Sequence, residues 1–254
     1  MLKKRIIPVQ LLLDGRLVKT KRFRDFRDVG DPVKSSAVYN SQNADELIFL
    51  NIAREHRTID MLRVVIEKVS EVSFMPMAMG GGISSADDAA ELIRTGADKI
   101  VVNSAAYRDK EVITATAARF GAQAVVVSID ARWDPELNRY LLFSDCGRMQ
   151  ETPTLEQHVR DVIAAGAGEI MIQSIDRDGT MEGYDVELVR RVKAVSTIPV
   201  IAGGGSGNYE HLREVFAETD VSAVACGSLF NFSDSNPIRA KAFLTNHGLS
   251  FKVV

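Results

Sequence analysis

The chain matches itself. Pro76 and the run Gly80-Gly81-Gly82 recur 123 residues later as Pro199 and Gly203-Gly204-Gly205. Glu46, which opens Leu47-Ile48-Phe49-Leu50, recurs at the same offset as Glu169, which opens Ile170-Met171-Ile172. A chain made of two related halves has few folds open to it, because each half must pack against a near copy of itself. Around the first strand of each half the offset slips to 119, and there Asp130 corresponds to Leu11. One half keeps an acid where the other has a leucine.

Runs rich in Val, Ile and Met, bounded by Gly, Pro or Asp, alternate with segments at helical spacing. They predict strands over 5–12, 46–52, 73–79, 98–103, 123–130, 168–174, 198–203 and 222–227. The helical segments are 31–43, 58–71, 85–95, 109–120, 154–165, 184–195, 208–218 and 236–246. Ser85 followed by Asp88 has the form of a capping box, and Gly96 that of a helix stop. Continuous apolar strands, with no alternation, belong in a parallel sheet covered on both faces. Eight βα units in 254 residues match a (β/α)₈ TIM barrel occupying 1–254 as one domain. The half repeat favours that closed barrel over an open doubly wound sheet. Two connections exceed a tight βα turn. Residues 14–30 are rich in Lys and Arg, and residues 131–153 contain Tyr140-Leu141-Leu142-Phe143, which reads as a small hairpin. Both belong to the C-terminal face, where barrel sites are built.

Composition excludes several classes of function. A net charge of −3 argues for neither nucleic acid nor an anionic membrane surface. Cys146 and Cys226 are too few and too distant for a disulfide framework. His56, His158, His211 and His247 show no metal-ligand spacing, so neither metal nor cofactor is expected. The start, Met1-Leu2-Lys3-Lys4-Arg5, leads into a short apolar run without a cleavage pattern and reads as the first strand. No stretch is long enough to span a bilayer. The expectation is a cytoplasmic protein.

The glycine triplets sit where strands three and seven give way to helices. There, backbone N–H groups can approach an anion closely. Asn103-Ser104 and Gly227-Ser228 follow strands four and eight at matching places. Two cradles across a barrel mouth suit a small molecule with a phosphate at each end. Asp130 ends strand five, where an acid can shuttle protons if its pKa lies near the working pH. Asp176, Asp178 and Gly179 follow strand six in a segment that reads equally as a turn and as a binder of polar substrate groups. Arg5, Glu46, Lys99 and Glu169 each stand just before the apolar run of a strand. Pointing inward, they would form a ring of alternating sign at the barrel floor, normally packed with branched apolar residues. Pointing outward, they would be ordinary strand-start charges.

Several segments resemble one family: Arg5-Ile6-Ile7-Pro8, Asp14-Gly15-Arg16-Leu17-Val18-Lys19, Gly30-Asp31-Pro32-Val33, Asp45-Glu46-Leu47, Gly80-Gly81-Gly82-Ile83, Gly96-Ala97-Asp98-Lys99, Gly166-Ala167-Gly168-Glu169 and Asp176-Arg177-Asp178-Gly179-Thr180. The family is the cyclase subunit of imidazole glycerol phosphate synthase, from histidine biosynthesis, and the likeness runs from Met1 to the last strand. In that family a glutaminase subunit releases ammonia that travels up a (β/α)₈ barrel to a ligand phosphorylated at both ends. The resemblance implies that Arg5, Glu46, Lys99 and Glu169 are the ammonia gate and that Asp98 lies near the glutaminase interface. It assigns phosphate sites to Gly81, Gly82, Asn103 and Ser104 and to Gly179, Gly204, Gly205, Gly227 and Ser228. It makes Lys19 a mobile-loop lysine, and it gives Asn51, Asp176 and Asp178 to substrate binding.

The departures matter as much. The family closes its ring with two aspartates. Asp130 matches the second, and Leu11 stands where the first belongs. Asn51 replaces a further aspartate and Ala53 a threonine. Losing one acid–base group commonly costs about two to four powers of ten in rate. Leu11-Leu12-Leu13-Asp14-Gly15 and Leu17-Val18-Lys19-Thr20 resemble a branch encoded in surface-polysaccharide clusters. That resemblance implies action with a glutaminase-like subunit and a third, asparagine-synthetase-type amidotransferase that makes an amidine on a sugar. The competing readings are a working cyclase in which Asp14 or Asp176 substitutes for the missing acid, and a non-catalytic scaffold that binds a glutaminase.

Overall fold

The computed structural model describes residues 3–55 and 57–252. His56, one of the four histidines above, lies outside them, as do the two residues at each end of the chain. The first half runs β1 (Arg5–Leu13), β2 (Arg16–Lys21), β3 (Arg24–Gly30), α1 (Pro32–Ser41), β4 (Leu47–Asn51), α2 (Asp60–Val69), β5 (Met77–Gly80), α3 (Ala86–Thr95), β6 (Lys99–Val102), α4 (Ser104–Arg108) and α5 (Glu111–Phe120). The second runs β7 (Val125–Asp134), β8 (Arg139–Ser144), β9 (Met149–Gln150), α6 (Leu155–Ala164), β10 (Glu169–Ser174), α7 (Val186–Val195), β11 (Val200–Gly203), α8 (Tyr209–Thr219), β12 (Ala223–Cys226), α9 (Ser228–Phe232) and α10 (Pro237–Asn246).

Eight of these strands, β1, β4, β5, β6, β7, β10, β11 and β12, pair in parallel. The β7–β10 pairing closes the ring, so the expected (β/α)₈ barrel is the fold. Its strands separate two apolar cores. Outward residues such as Ile6, Phe49, Ile100 and Ile172 join the helices in the larger core. Inward residues Ile7, Ile48, Ala78, Val101, Val126, Met171, Ile201 and Ala223 form a compact plug. Both faces of every barrel strand are thus dry, which is why the strands read as unbroken apolar runs.

The half repeat is visible atom by atom. Ser85 accepts from the backbone N–H of Asp88 and Asp88 accepts from that of Ser85, completing the capping box of α3. At the 123-residue offset, Asn208 caps α8 by accepting from the backbone N–H of His211. Asn103 and Gly227 share an unusual backbone, φ/ψ −126°/−79° and −115°/−83°, and each precedes a five-residue helix.

Three expectations need correcting. The third barrel strand spans Met77–Gly80 rather than 73–79, because Ser73 still donates to Val69 O at the end of α2 and Pro76 has no N–H for a ladder. The segment 14–30 is not a loop. Asp14 (φ +50°) and Gly15 (φ +76°) make a two-residue turn of type I′ character, and β2 returns along β1. β3 then pairs with β2 alone. The fifth barrel strand continues through Asp134 and pairs with β8, so 131–153 holds a larger hairpin than expected. Among the described residues no helix is long and apolar enough to cross a membrane.

Candidate functional site

Alternation along each barrel strand decides what faces inward. On β1 the inward set is Arg5, Ile7, Val9 and Leu11; on β10 it is Glu169, Met171 and Gln173. The first residues of these strands meet at the floor. Arg5 Nη1 lies 2.9 Å from Glu46 Oε2 and its Nη2 2.5 Å from Glu169 Oε1. Lys99 Nζ lies 2.7 Å from Glu46 Oε2 and 2.9 Å from Glu169 Oε2. The inward reading of these four residues holds: each cation touches both anions, and the ring is closed. Burial raises the Glu46 pKa, with its Oε1 left without a partner, against the pull of Lys99 and Arg5. Burial acts the same way on Glu169, but Arg5 and Lys99 engage both its oxygens and bring its pKa down. Asp98, at the start of β6, is exposed on the floor side, and its carboxylate accepts from the backbone N–H of Met77 at 2.8 Å.

At the opposite end a cavity of about 410 Å³ opens between the βα loops. It is lined by Leu11, Lys19, Asn51, Asp130 and Asp178, and by all nine residues read as phosphate contacts. The two cradles have related backbones: φ is +92° and +91° at Gly81 and Gly82, and +86° and +109° at Gly204 and Gly205. Among the described residues the N–H groups of Gly82, Ser104, Gly205 and Ser228 donate to no protein acceptor, leaving them free for an anion. Close backbone packing is a second reason for glycine here, since a Cβ on Gly205 would stand 2.1 Å from Gly183 O.

Asp130 is 9% exposed. Asn103 Nδ2 donates to its Oδ2 at 3.0 Å, and Ser128 Oγ lies 3.5 Å from Oδ1. Burial and the neighbouring Asp178 charge push its pKa up to about 7 despite those two hydrogen bonds. Asp178 accepts from Thr20 Oγ1 at 2.7 Å, from the Phe23 N–H at 3.2 Å and from Gln173 Nε2 at 3.3 Å. Burial raises its pKa as well. The same contacts hold the β2–β3 hairpin across the mouth. Lys19 on that hairpin is buried, donates to Val9 O and lies beside Gly227. Burial lowers its pKa to about 8, opposed by Asp178 and Cys226.

Not every candidate converges. Asp176 lies off the cavity, where its carboxylate accepts from the Trp133 N–H at 3.0 Å and steadies the extended β7. Asp14 sits exposed in the β1–β2 turn. Neither can replace an acid at Leu11; of the other carboxylates lining the cavity, Asp178, Asp145 and Asp109, it is Asp178 whose charge raises the Asp130 pKa. Asn51 serves its own loop, accepting from the Ala53 N–H and donating to Thr58 O. Sequence reasoning missed Thr20, Gln173, Arg57 and Asp145, of which only Gln173 carried a signal, the inward parity it shares with Glu169.

The comparisons fit this geometry. A family model described as "Histidine biosynthesis protein" matches residues 5–235. A protein of Staphylococcus carnosus named imidazole glycerol phosphate synthase subunit HisF is 38% identical over 252 residues, covering 99% of each chain. Its namesake in Lactiplantibacillus plantarum is 40% identical over 249 residues, 98% of this chain and 99% of its own. That of Bacillus licheniformis is 38% identical over 252 residues, 99% of this chain and the whole of its own.

Proposed function

This chain belongs to the histidine biosynthesis protein family, and from that premise we propose that it is the ammonia-carrying barrel subunit of a glutamine amidotransferase complex. In this reading a glutaminase subunit docks on the floor near Asp98. Ammonia enters through the Arg5–Glu46–Lys99–Glu169 ring and crosses the apolar plug, where Ala78, Ala223 and Ala225 are the smallest members. The ring carries no net charge, so it offers nothing that would trap ammonium, and an uncharged ammonia molecule suits the dry plug above it. Lys99 is the movable member, an ammonium on a flexible stem, whereas the Arg5 fork holds both glutamates.

The end use we propose is amidination of a sugar in surface-polysaccharide synthesis, with a third protein supplying the amidotransferase chemistry and histidine-type cyclisation impaired. Leu11 carries this reading. It lines the cavity on the strand that corresponds to the strand of Asp130 in the other half, and it cannot exchange a proton. The floor keeps every charge, while the mouth has two aspartates replaced, by Leu11 and by Asn51. One observation favours a second reading, a working cyclase of histidine biosynthesis: Asp178 shares the cavity with Asp130 and raises its pKa, so two carboxylates of shifted pKa are still present.

The test pairs the purified protein with a glutaminase subunit of this family and with the histidine-pathway cyclisation substrate plus ammonium salt. Binding and stimulation of the glutaminase without turnover of the substrate is the expected result. Turnover at enzymatic rates by the unmodified protein would replace it with the cyclase reading, and failure to bind any glutaminase would remove both. Lys99→Ala should depress glutamine-dependent activity more than ammonium-dependent activity; equal losses would remove the channel.

A further inference from the structure

The two ends of the cavity differ in charge. The end built by Gly204–Gly205 and Gly227–Ser228 has one cationic side chain in its lining, Lys19, which is already engaged with Val9 O. The end built by Gly81–Gly82 and Asn103–Ser104 has three, Arg54, Arg57 and Arg108. Arg108 closes α4, one turn beyond Ser104 on the same face. Arg57 reaches the cradle through Asp145: its Nη2 lies 2.7 Å from Asp145 Oδ1, and the Asp145 N–H donates to Ser104 Oγ at 3.1 Å. Asp145 also pairs with Arg148 at 2.6 Å, so one carboxylate stands against two guanidinium groups. Asp109, the other acid of this end, accepts from the Glu111 N–H at 2.9 Å. Among the described residues, Arg54 and Arg108 make no ion pair.

Backbone N–H groups alone suffice for one phosphate. Arginines without a carboxylate partner suit a second, because a guanidinium donates two parallel hydrogen bonds to phosphate oxygens; Arg54 has only a 3.5 Å contact from Nη2 to Phe23 O. Beyond them stands an aromatic surface. Phe26 of the β2–β3 hairpin lines the cavity, is 42% exposed and carries the Arg54 guanidinium 5.2 Å from its ring centre. An exposed ring capped by arginine is a platform on which a planar base stacks.

We propose that this end of the cavity takes a diphosphate, and that the ligand is a nucleoside diphosphate derivative whose base stacks on Phe26. Because Asn103 belongs to this cradle and also donates to Asp130, the group esterified to the inner phosphate lies against the acid. The inference rests on reading the cavity as a phosphate site, and the experiment separates the two.

Binding of inorganic phosphate, pyrophosphate and purine and pyrimidine nucleoside diphosphates is measured by calorimetry and by thermal shift. Pyrophosphate should bind about tenfold more tightly than phosphate, and a nucleoside diphosphate several-fold more tightly again. Replacing both Arg54→Gln and Arg108→Gln should erase the pyrophosphate preference and leave phosphate within about twofold of its original affinity. Phe26→Ser should remove only the nucleoside increment. Equal affinities for phosphate and pyrophosphate, or a preference that survives the double replacement, overturns the diphosphate site and leaves the cradle standing. No phosphate binding at all overturns the cradle as well.

Discussion

The floor and the mouth of this barrel both bury carboxylates, and Glu169 at the floor and Asp130 at the mouth end in opposite electrostatic states. At the floor, Glu46 and Glu169 are each bridged by the same two cations. At the mouth, Asp130 is as dry as Glu169 but has only an amide and a hydroxyl for company. Glu169 keeps its charge and a lowered pKa; Asp130 titrates near neutrality. Burial alone therefore does not predict what a carboxylate does. Glu169, with both oxygens engaged, is held low, whereas Glu46, with Oε1 left without a partner, is raised despite the same two cations. What decides is how fully the charge is compensated.

The largest effect should come from unbalancing the floor. Lys99→Ala leaves both glutamates with Arg5 alone, and removing one partner from a buried ionic cluster costs about 3–5 kcal/mol. Denaturant titration at neutral pH measures it. A loss below about 1 kcal/mol would mean the ring behaves like exposed ion pairs, whose worth is that small, and the contrast with the mouth would collapse.

At the mouth the same operation should have the opposite sign. The folded pKa of Asp130, about 7, lies above the value of about 3.9 expected in the unfolded chain. Between those values the folded state holds more protons than the unfolded one, so stability falls as pH rises from about 4 to 7. Asp130→Asn removes that term. The variant should match the parent at pH 4 and exceed it at pH 8 by roughly 4 kcal/mol, an order-of-magnitude figure, while losing about two to four powers of ten in any acid–base step. A variant less stable than the parent at pH 8 would show that Asp130 is compensated after all.

How much of this contrast was legible in the sequence follows from the same physics. The barrel strands were readable because both faces are dry; the four floor charges stood at one register on four strands, but that pattern alone left inward and outward orientations open. The β2–β3 hairpin was not, although Asp14-Gly15 is a strong turn signal. Leu17 to Thr20 are buried in succession without alternation, and β3 is a charged, exposed edge strand. The role of Asp178 over Asp176 was also hidden. Two residues apart in one turn, they differ only in direction: one faces Thr20 and the cavity, the other Trp133. The third strand was misplaced because the apolar run began while Ser73 still closed the end of α2, and Pro76 has no N–H to donate to the ladder.

Backbone geometry sharpens the comparison at smaller scale. Gly205 has φ +109°, and a Cβ there would meet Gly183 O at 2.1 Å. Gly205→Ala should cost about 1–3 kcal/mol from the strained backbone and abolish the phosphate-induced rise in melting temperature. Gly15 also has a positive φ, but nothing lies within 4 Å of its Cβ position. Gly15→Ala should retain the phosphate response in full. Equal loss in both variants would make the cradle a matter of folding and not of anion binding.

The smallest change in stability, within about 1 kcal/mol, is expected for Leu11→Asp, since Leu11 is only partly buried and borders open space. Its value is diagnostic. A further carboxylate in the cavity should raise the Asp130 pKa again by like-charge repulsion, readable as an upward shift in the pH dependence of stability. With ammonium salt and the histidine-pathway cyclisation substrate, turnover by the variant alone means a retained pocket whose chemistry stopped at one side chain. Turnover by the parent means that Asp130 and Asp178 already suffice, and the difference between floor and mouth is then one of charge state and not of lost function. Silence from both means that the mouth as a whole, arginines and hairpin included, has been rebuilt for another acceptor, and that the floor is the only part still performing the older task.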